Sequence, residues 1–251
     1  IKSAKAGKHI ICEKSATASY KSAKKMVQEC KKNDVRILEG FSFRFHPQHT
    51  KILKIIKENV LGKLFSFYGS YGFTLPYSKE NIRFKKELGG GVLNDVGCYL
   101  ICASRMIFRN NPSSITCNLV INKKIGVDIK GSIHMIYPQN CVAFANFSYN
   151  DFFQSMYNIW GANGFASLER AFNIRRDMKA SIHLQTTNKT KHVKLKPINQ
   201  SKLMISEFCN ALQQPQLATF DYENDLIDQA KVMEAARQSN STKKLVYLDA
   251  I

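Results

Sequence analysis

The 251-residue sequence has no CxxC pair, no run of about eighteen apolar residues and few acidic side chains. Each absence excludes something. Without paired cysteine spacing, neither a disulfide framework nor a thiolate zinc site is expected. Seven scattered cysteines, an odd number, fit a reducing cytoplasm instead. Without a long apolar run, no membrane-spanning helix is expected. The opening residues IKSAKAGK are basic but carry no apolar stretch or cleavage site, so no secretory leader is expected. They also do not begin with Met, which reads as a chain truncated at its N-terminus.

The acid shortage leaves 37 Lys and Arg against 19 Asp and Glu, a formal charge of +18. A basic balance of that size raises nucleic acid as a partner. The excess is mostly Lys spread along the whole chain, while Arg, the better fork for phosphates and bases, is scarcer. No specific nucleic-acid role is therefore expected. Apolar residues make up 44% and charged residues 22%, enough for a sizeable core.

Residues 8–14 (KHIICEK) read as a short buried strand and 19–32 as an amphipathic helix. Ser19 is placed as N-cap, and Ala23, Met26, Val27 and Cys30 form one stripe. Asn33-Asp34 ends that helix, and 35–43 (VRILEGFSF) reads as a second strand. Strand–helix–strand with short joints implies a parallel pair with a right-handed crossover. Lys2 to Gly7 reads as the end of a further helix. A helix follows at 47–60, opened by Pro47 and closed by Gly62. LFSFYGSYGF then alternates, putting Phe65, Phe67, Tyr71 and Phe73 on one face of a strand. Seven more strands are expected at 114–122, 127–137, 140–149, 155–160, 165–169, 180–186 and 191–195. Two helices, near 200–213 and 222–238, and a short strand KLVYL close the chain. The fold class is a partial α/β unit, then an α+β domain on an open, largely antiparallel sheet.

Two places carry chemistry. Lys14 sits at the carboxyl end of the first strand, where open α/β sheets bind ligands. The apolar helix at 89–108, GGGVLNDVGCYLICASRMIF, is interrupted by Asp95 and Tyr99, which share a face at i, i+4. A buried carboxylate needs a partner or a cleft. From spacing alone, a core helix with a satisfied Asp and Tyr is the favoured reading, and Lys14 alone equally fits a solvated strand end. His46 and His49, at i, i+3 with no third ligand nearby, read as a solvated helix start, so no metal is assigned.

These segments resemble the glucose–fructose oxidoreductase / inositol dehydrogenase / rhizopine-catabolism (Gfo/Idh/MocA) family. AGKHIICEKS resembles its A-G-K-H-V-x-x-E-K-P signature. EGFSFRFHP is similar to its exit from the nucleotide domain, and GKLFSFYGSYGF to its first substrate-domain strand. NIRFKKELGGGVLNDVGCYL is similar to its Arg loop followed by G-G-G-x-x-x-D-x-G-x-H/Y. The resemblance implies that residues 1–45 are the remnant of a Rossmann dinucleotide-binding domain. It implies that 46–251 form the substrate and oligomerisation domain, with homo-oligomers made through its sheet. It also implies NADP or NAD as cofactor and hydride transfer on a sugar, polyol or cyclic diol. Lys14, Asp95 and Tyr99 correspond to the family's catalytic positions, and GCY fits the branch with glucose–fructose oxidoreductase and dihydrodiol dehydrogenase. Glu13 is expected to anchor Lys14; Arg83 and Arg44 are expected near the cofactor. Hydride leaves an alcohol carbon only as the hydroxyl proton leaves, so Tyr99 is expected to move that proton, its pKa lowered by Lys14.

Two departures stand out. Ser15 replaces the family's Pro, which favours a cis bond. No GxGxxG or GxGxxA follows a strand, so the phosphate-holding turn is not in this sequence. Uncovered strand edges are then expected to make the chain poorly soluble alone. The alternatives are a non-catalytic relative that binds sugar or serves assembly, and a basic nucleic-acid binder.

Overall fold

The computed structural model describes residues 1–251. Helix α1 (Lys2–Lys5) ends at Ala6, and Gly7 follows in the left-handed region at φ +67°. Strand β1 (Ile10–Cys12), helix α2 (Tyr20–Lys32) and strand β2 (Ile37–Glu39) form the expected βαβ unit, with Ile10 opposite Ile37 in a parallel pair. Ser19 caps α2 by accepting from Ser22 N, and Ala23, Val27 and Cys30 are buried. β2 is shorter than expected. After Glu39 the backbone bonds within itself, Phe41 N to Glu39 O, and Ser42–Phe45 coil into a 3-10 turn.

Helix α3 (Pro47–Lys57) stops before Gly62, because Asn59 takes the left-handed conformation at φ 54°. Strand β3 (Leu64–Gly72) starts the large sheet. Strands β4 (Ser114–Ile121), β5 (Asp128–Ile136), β6 (Val142–Ser148), β7 (Gln154–Gly161), β8 (Gly164–Leu168), β9 (Ser181–Thr186), β10 (Lys189–Lys194) and β11 (Val246–Tyr247) complete it. The order across its nine strands is β10-β9-β8-β7-β3-β6-β5-β4-β11. Only β3 and β6 pair in parallel. Phe67 and Tyr71 point into the core, but Phe65 does not. A bulge between Leu64 and Ser66 inserts Phe65 as an extra residue. That insertion turns its ring to the outer face, edge-on to Trp160.

The inner face is covered by α3, by helix α4 (Cys98–Phe108) and by helix α6 (Tyr222–Thr242). Helix α5 (Gln200–Gln213) packs on the 3-10 turn after β2, through Met204 and Phe208. The segment Lys86–Phe108 is long and apolar enough to cross a membrane, contrary to the composition-based expectation, but most of it is buried inside the protein. β11 covers only the start of β4. Farther along, Ser239 Oγ and Asn240 Oδ1 of α6 accept from Cys117 N (2.9 Å) and Leu119 N (2.8 Å), satisfying an edge that would otherwise be bare.

α6 also ties the βαβ unit to the sheet domain. Glu223 takes both Arg36 Nε (2.8 Å) and Nη2 (2.9 Å) and accepts from Ile37 N at 3.0 Å. Burial opposes the charged form of Glu223, but these donors hold its carboxyl below the usual range. Replacing Glu223 by Ala leaves Ile37 N without its acceptor, while Arg36, about a third exposed, can turn toward water. Glu223→Ala should therefore cost ~1–3 kcal/mol in denaturant unfolding. An unchanged midpoint would show that the apolar contacts alone hold the two parts together.

Candidate active site

The residue that organises the site is Asp95. It lies in a π-helical stretch, Leu93–Gly97, that leads into α4. Such wide turns recur at functional sites because they displace a side chain from helical register. The glycines before it are required by space. Gly91 has φ +119°, and a Cβ there would collide with the Asp128 carboxylate; a Cβ on Gly90 would lie 2.7 Å from the Arg83 and Lys85 carbonyls. Asp128 Oδ2 accepts from Leu93 N at 2.6 Å and so fixes the start of the stretch.

Asp95 holds two cations. Lys14 Nζ donates to Asp95 Oδ1 at 2.8 Å and to the Asp95 carbonyl at 2.6 Å. Arg83 Nε donates to Asp95 Oδ2 at 2.7 Å. The Lys14 and Asp95 side chains are only 12% and 13% exposed. Burial alone would raise the Asp95 carboxyl, but Lys14 and Arg83 outweigh it and keep the pKa below the ordinary value. Ser15 Oγ donates to the Asn94 carbonyl at 2.9 Å, so the turn after β1 is bonded to the same helix entry. The Lys14–Ser15 peptide is cis. That is the isomer expected only with Pro at the second position.

Tyr99 lies one turn after Asp95, and Lys14 Nζ stands 4.9 Å from its ring centroid. Four rings fix the phenol in place: Phe41 and Tyr71 edge-on at 5.5 and 5.3 Å, Phe43 at 5.7 Å and Phe172 at 5.6 Å. The expectation of a lowered Tyr99 pKa is corrected. Burial raises it well above the ordinary phenol value, and the Lys14 charge is already engaged by Asp95. Tyr99 is therefore held in its neutral, protonated form at neutral pH.

Lys14 and Tyr99 line different clefts. Lys14, Arg83, Asp95 and the three glycines border a space of about 170 Å³. Tyr99 borders a second, of about 350 Å³, with Ser42, Asn173, Arg176, Asn199 and Gln200. None of these five stands out in the sequence, because they come from three segments far apart in the chain.

Other expectations are corrected. Glu13 is exposed, and the partner of Lys14 is Asp95. Arg44 does not face the Lys14 cleft. It pairs with Asp225 of α6 and stacks on Phe220, so it braces α6. His46 and His49 are buried, not solvated. His49 meets Tyr157 OH at 2.9 Å and the Ala171 carbonyl at 2.8 Å, and burial pushes its pKa down to about 3.

Sequence reasoning missed Glu39, the last residue of β2. It is buried and accepts from Ala16 N at 2.8 Å, which supports the turn carrying Lys14. The only hint in the sequence was a carboxylate ending an apolar strand.

Residues 49–167 match the family described as GFO/IDH/MocA C-terminal domain. The match runs from α3 through most of β8, across the first part of the sheet domain. Over 243 residues it is 25% identical to a D-xylose 1-dehydrogenase (NADP(+)) of Haloferax volcanii, covering 97% of this chain and 74% of that one. A trans-1,2-dihydrobenzene-1,2-diol dehydrogenase of Xenopus laevis is 30% identical over 135 residues, 52% of this chain and 39% of the relative. A 3-ketoreductase of Actinomadura kijaniata, solved with NADP and TDP-benzene, superposes with a TM-score of 0.87 at 23% identity. It covers 95% of this chain and 73% of that one, and so shows the shared fold. In this chain the Lys14–Asp95–Tyr99 grouping lies where the βαβ unit meets the sheet domain.

Burial pushes Glu39 up to about 7, against an ordinary value near 4.5. Its folded form holds a proton that the unfolded chain has released, so its contribution to stability is full below about 4.5 and is lost as pH rises toward 7. Glu39→Gln should therefore gain stability relative to the parent between those pH values, read from urea midpoints. Parallel profiles for the two proteins would rule the assignment out.

Proposed function

We propose that this chain is the substrate-side part of an NAD(P)-dependent oxidoreductase acting on the hydroxyl or carbonyl carbon of a sugar, polyol or cyclic diol. The observation that carries the proposal is the buried Lys14–Asp95 pair seated against the ring of a protonated, caged Tyr99. Nicotinamide dinucleotide, when bound, supplies or accepts the hydride. The small cleft walled by Gly89, Gly90 and Gly91 suits its nicotinamide end, beside Lys14, Ser15 and Arg83. Residues 1–45 are read as the closing part of a Rossmann domain, and the pyrophosphate-holding turn is not among the residues of this sequence.

In the reducing direction Tyr99 gives its proton to the substrate oxygen as the carbonyl carbon is reduced. The ammonium of Lys14 faces the ring, and its charge, shared with Asp95, offsets only part of the phenolate left behind. Asp95 holds that ammonium in place, and Arg83 keeps Asp95 charged. Phe43 and Phe172 pack against the phenol ring and fix its place at the edge of the larger cleft. The polar walls of the larger cleft, Ser42, Asn173, Asn199 and Gln200, suit a polyhydroxylated substrate. A second reading, a sugar-binding relative without turnover, is favoured by one observation: Lys14 and Tyr99 border separate clefts.

Lys14→Met and Tyr99→Phe should each lower kcat by ~10²–10⁴-fold in protein carrying the complete nucleotide unit. Cofactor affinity, followed by nicotinamide fluorescence, should change little. Parent-like turnover in either variant would remove its assigned role, and absence of cofactor binding in the parent would support the second reading.

The outer sheet face supports a homo-oligomer. Tyr68 and Phe144 are register partners there, Trp160 packs on Phe65, and all four rings are exposed. Seven unpaired thiols suit a reducing, cytoplasmic setting. Phe144→Glu with Trp160→Glu should convert a dimer to monomer in analytical ultracentrifugation; an unchanged sedimentation profile would place the contact elsewhere.

A further inference from the structure

β9 and β10 form the terminal hairpin of the sheet, and β10 has no neighbour on its far side. His183 and His192 are direct register partners in this antiparallel pair. Directly opposed residues have Cβ atoms ~4.5–5.5 Å apart. Here the two imidazole rings lie 4.5 Å apart by centroid. His183 Nδ1 is 3.4 Å from His192 Nδ1 and 3.2 Å from His192 Nε2. Two imidazole nitrogens bound to one ion at ~2.0–2.1 Å each stand roughly 2.8–3.4 Å apart at cis angles. The spacing is therefore already that of a chelate, and only small rotations of two accessible side chains are needed to aim both lone pairs at one point.

We propose that His183 and His192 form a two-imidazole clamp for a borderline divalent cation, of the Zn²⁺ or Ni²⁺ class, at the open end of the sheet. The ligand set decides the class. Imidazole suits Zn, Ni and Cu, whereas Mg and Ca need oxygen ligands. The neighbours on the same face are Ser181 and Gln185 of β9, Thr190 and Lys194 of β10, and Ser167 of β8, opposite His183. None is a carboxylate, so water completes the coordination shell, and Lys194 keeps the affinity modest. The ion would cross-link an edge strand that is otherwise held from one side only. The clamp is independent of the Lys14 site and of any cofactor.

The test is a calorimetric titration of the full chain with Zn²⁺ and, separately, Ni²⁺, alongside unfolding midpoints with the ion and with chelator. The expected result is a site that weakens at least tenfold in His183→Asn and in His192→Asn and persists in Cys209→Ser, the exposed thiol. The ion should raise the parent's midpoint and leave both Asn variants unmoved. Either Asn variant suffices if the other fails to fold. Equal isotherms in the parent and the Asn variants, loss of the site in Cys209→Ser, or no binding by the parent up to millimolar ion would each overturn the proposal.

Discussion

One carboxylate between two cations governs the geometry of the site. Asp95 faces Lys14 from the βαβ unit and Arg83 from the loop before α4, and so joins three segments that share no secondary structure. A buried carboxylate is tolerated only with such company. The same interaction places the ammonium on the ring of Tyr99. Burial, more than any charge nearby, keeps the phenol protonated.

The sheet domain gives this grouping its rigidity. α4 lies on the inner face with its apolar side chains in the main core, and Tyr99 projects from it into a ring of aromatics drawn from the turn after β2, from β3 and from the segment after β8. α6 runs across the back and reaches both parts: Glu223 to Arg36, Asp225 to Arg44 and Arg105, Ser239 to β4. Arg44 and Glu223 are thus structural ties.

Much of the fold was legible because its signals are local. Alternating strands, Ser19 as a cap, Pro47 at a helix start and the turns at Pro138 and Gly161 each depend on neighbours in sequence. The failures have non-local causes. Phe65 follows the alternation on paper, but a bulge set by β7 turns it outward. His46 and His49 read as polar, yet both are buried, and Tyr157 and the Ala171 carbonyl, more than a hundred positions later, give His49 a dry home. Lys14, Asp95 and Tyr99 were found through spacing joined to family resemblance. Glu39, Asn173 and Gln200 had no such signature, since only folding brings them to the site.

The place of β3 has a kinetic consequence. Strands β4 to β6 and strands β7 to β10 can each zip up from adjacent hairpins. β3 stands between the two runs, yet it was made some seventy residues before its parallel partner β6. Closing so long a loop loses chain entropy before any pairing is gained. Two half-sheets with bare inner edges must therefore wait for one early segment to slot between them. Until it does, each half exposes the edge through which chains pair with the wrong neighbour.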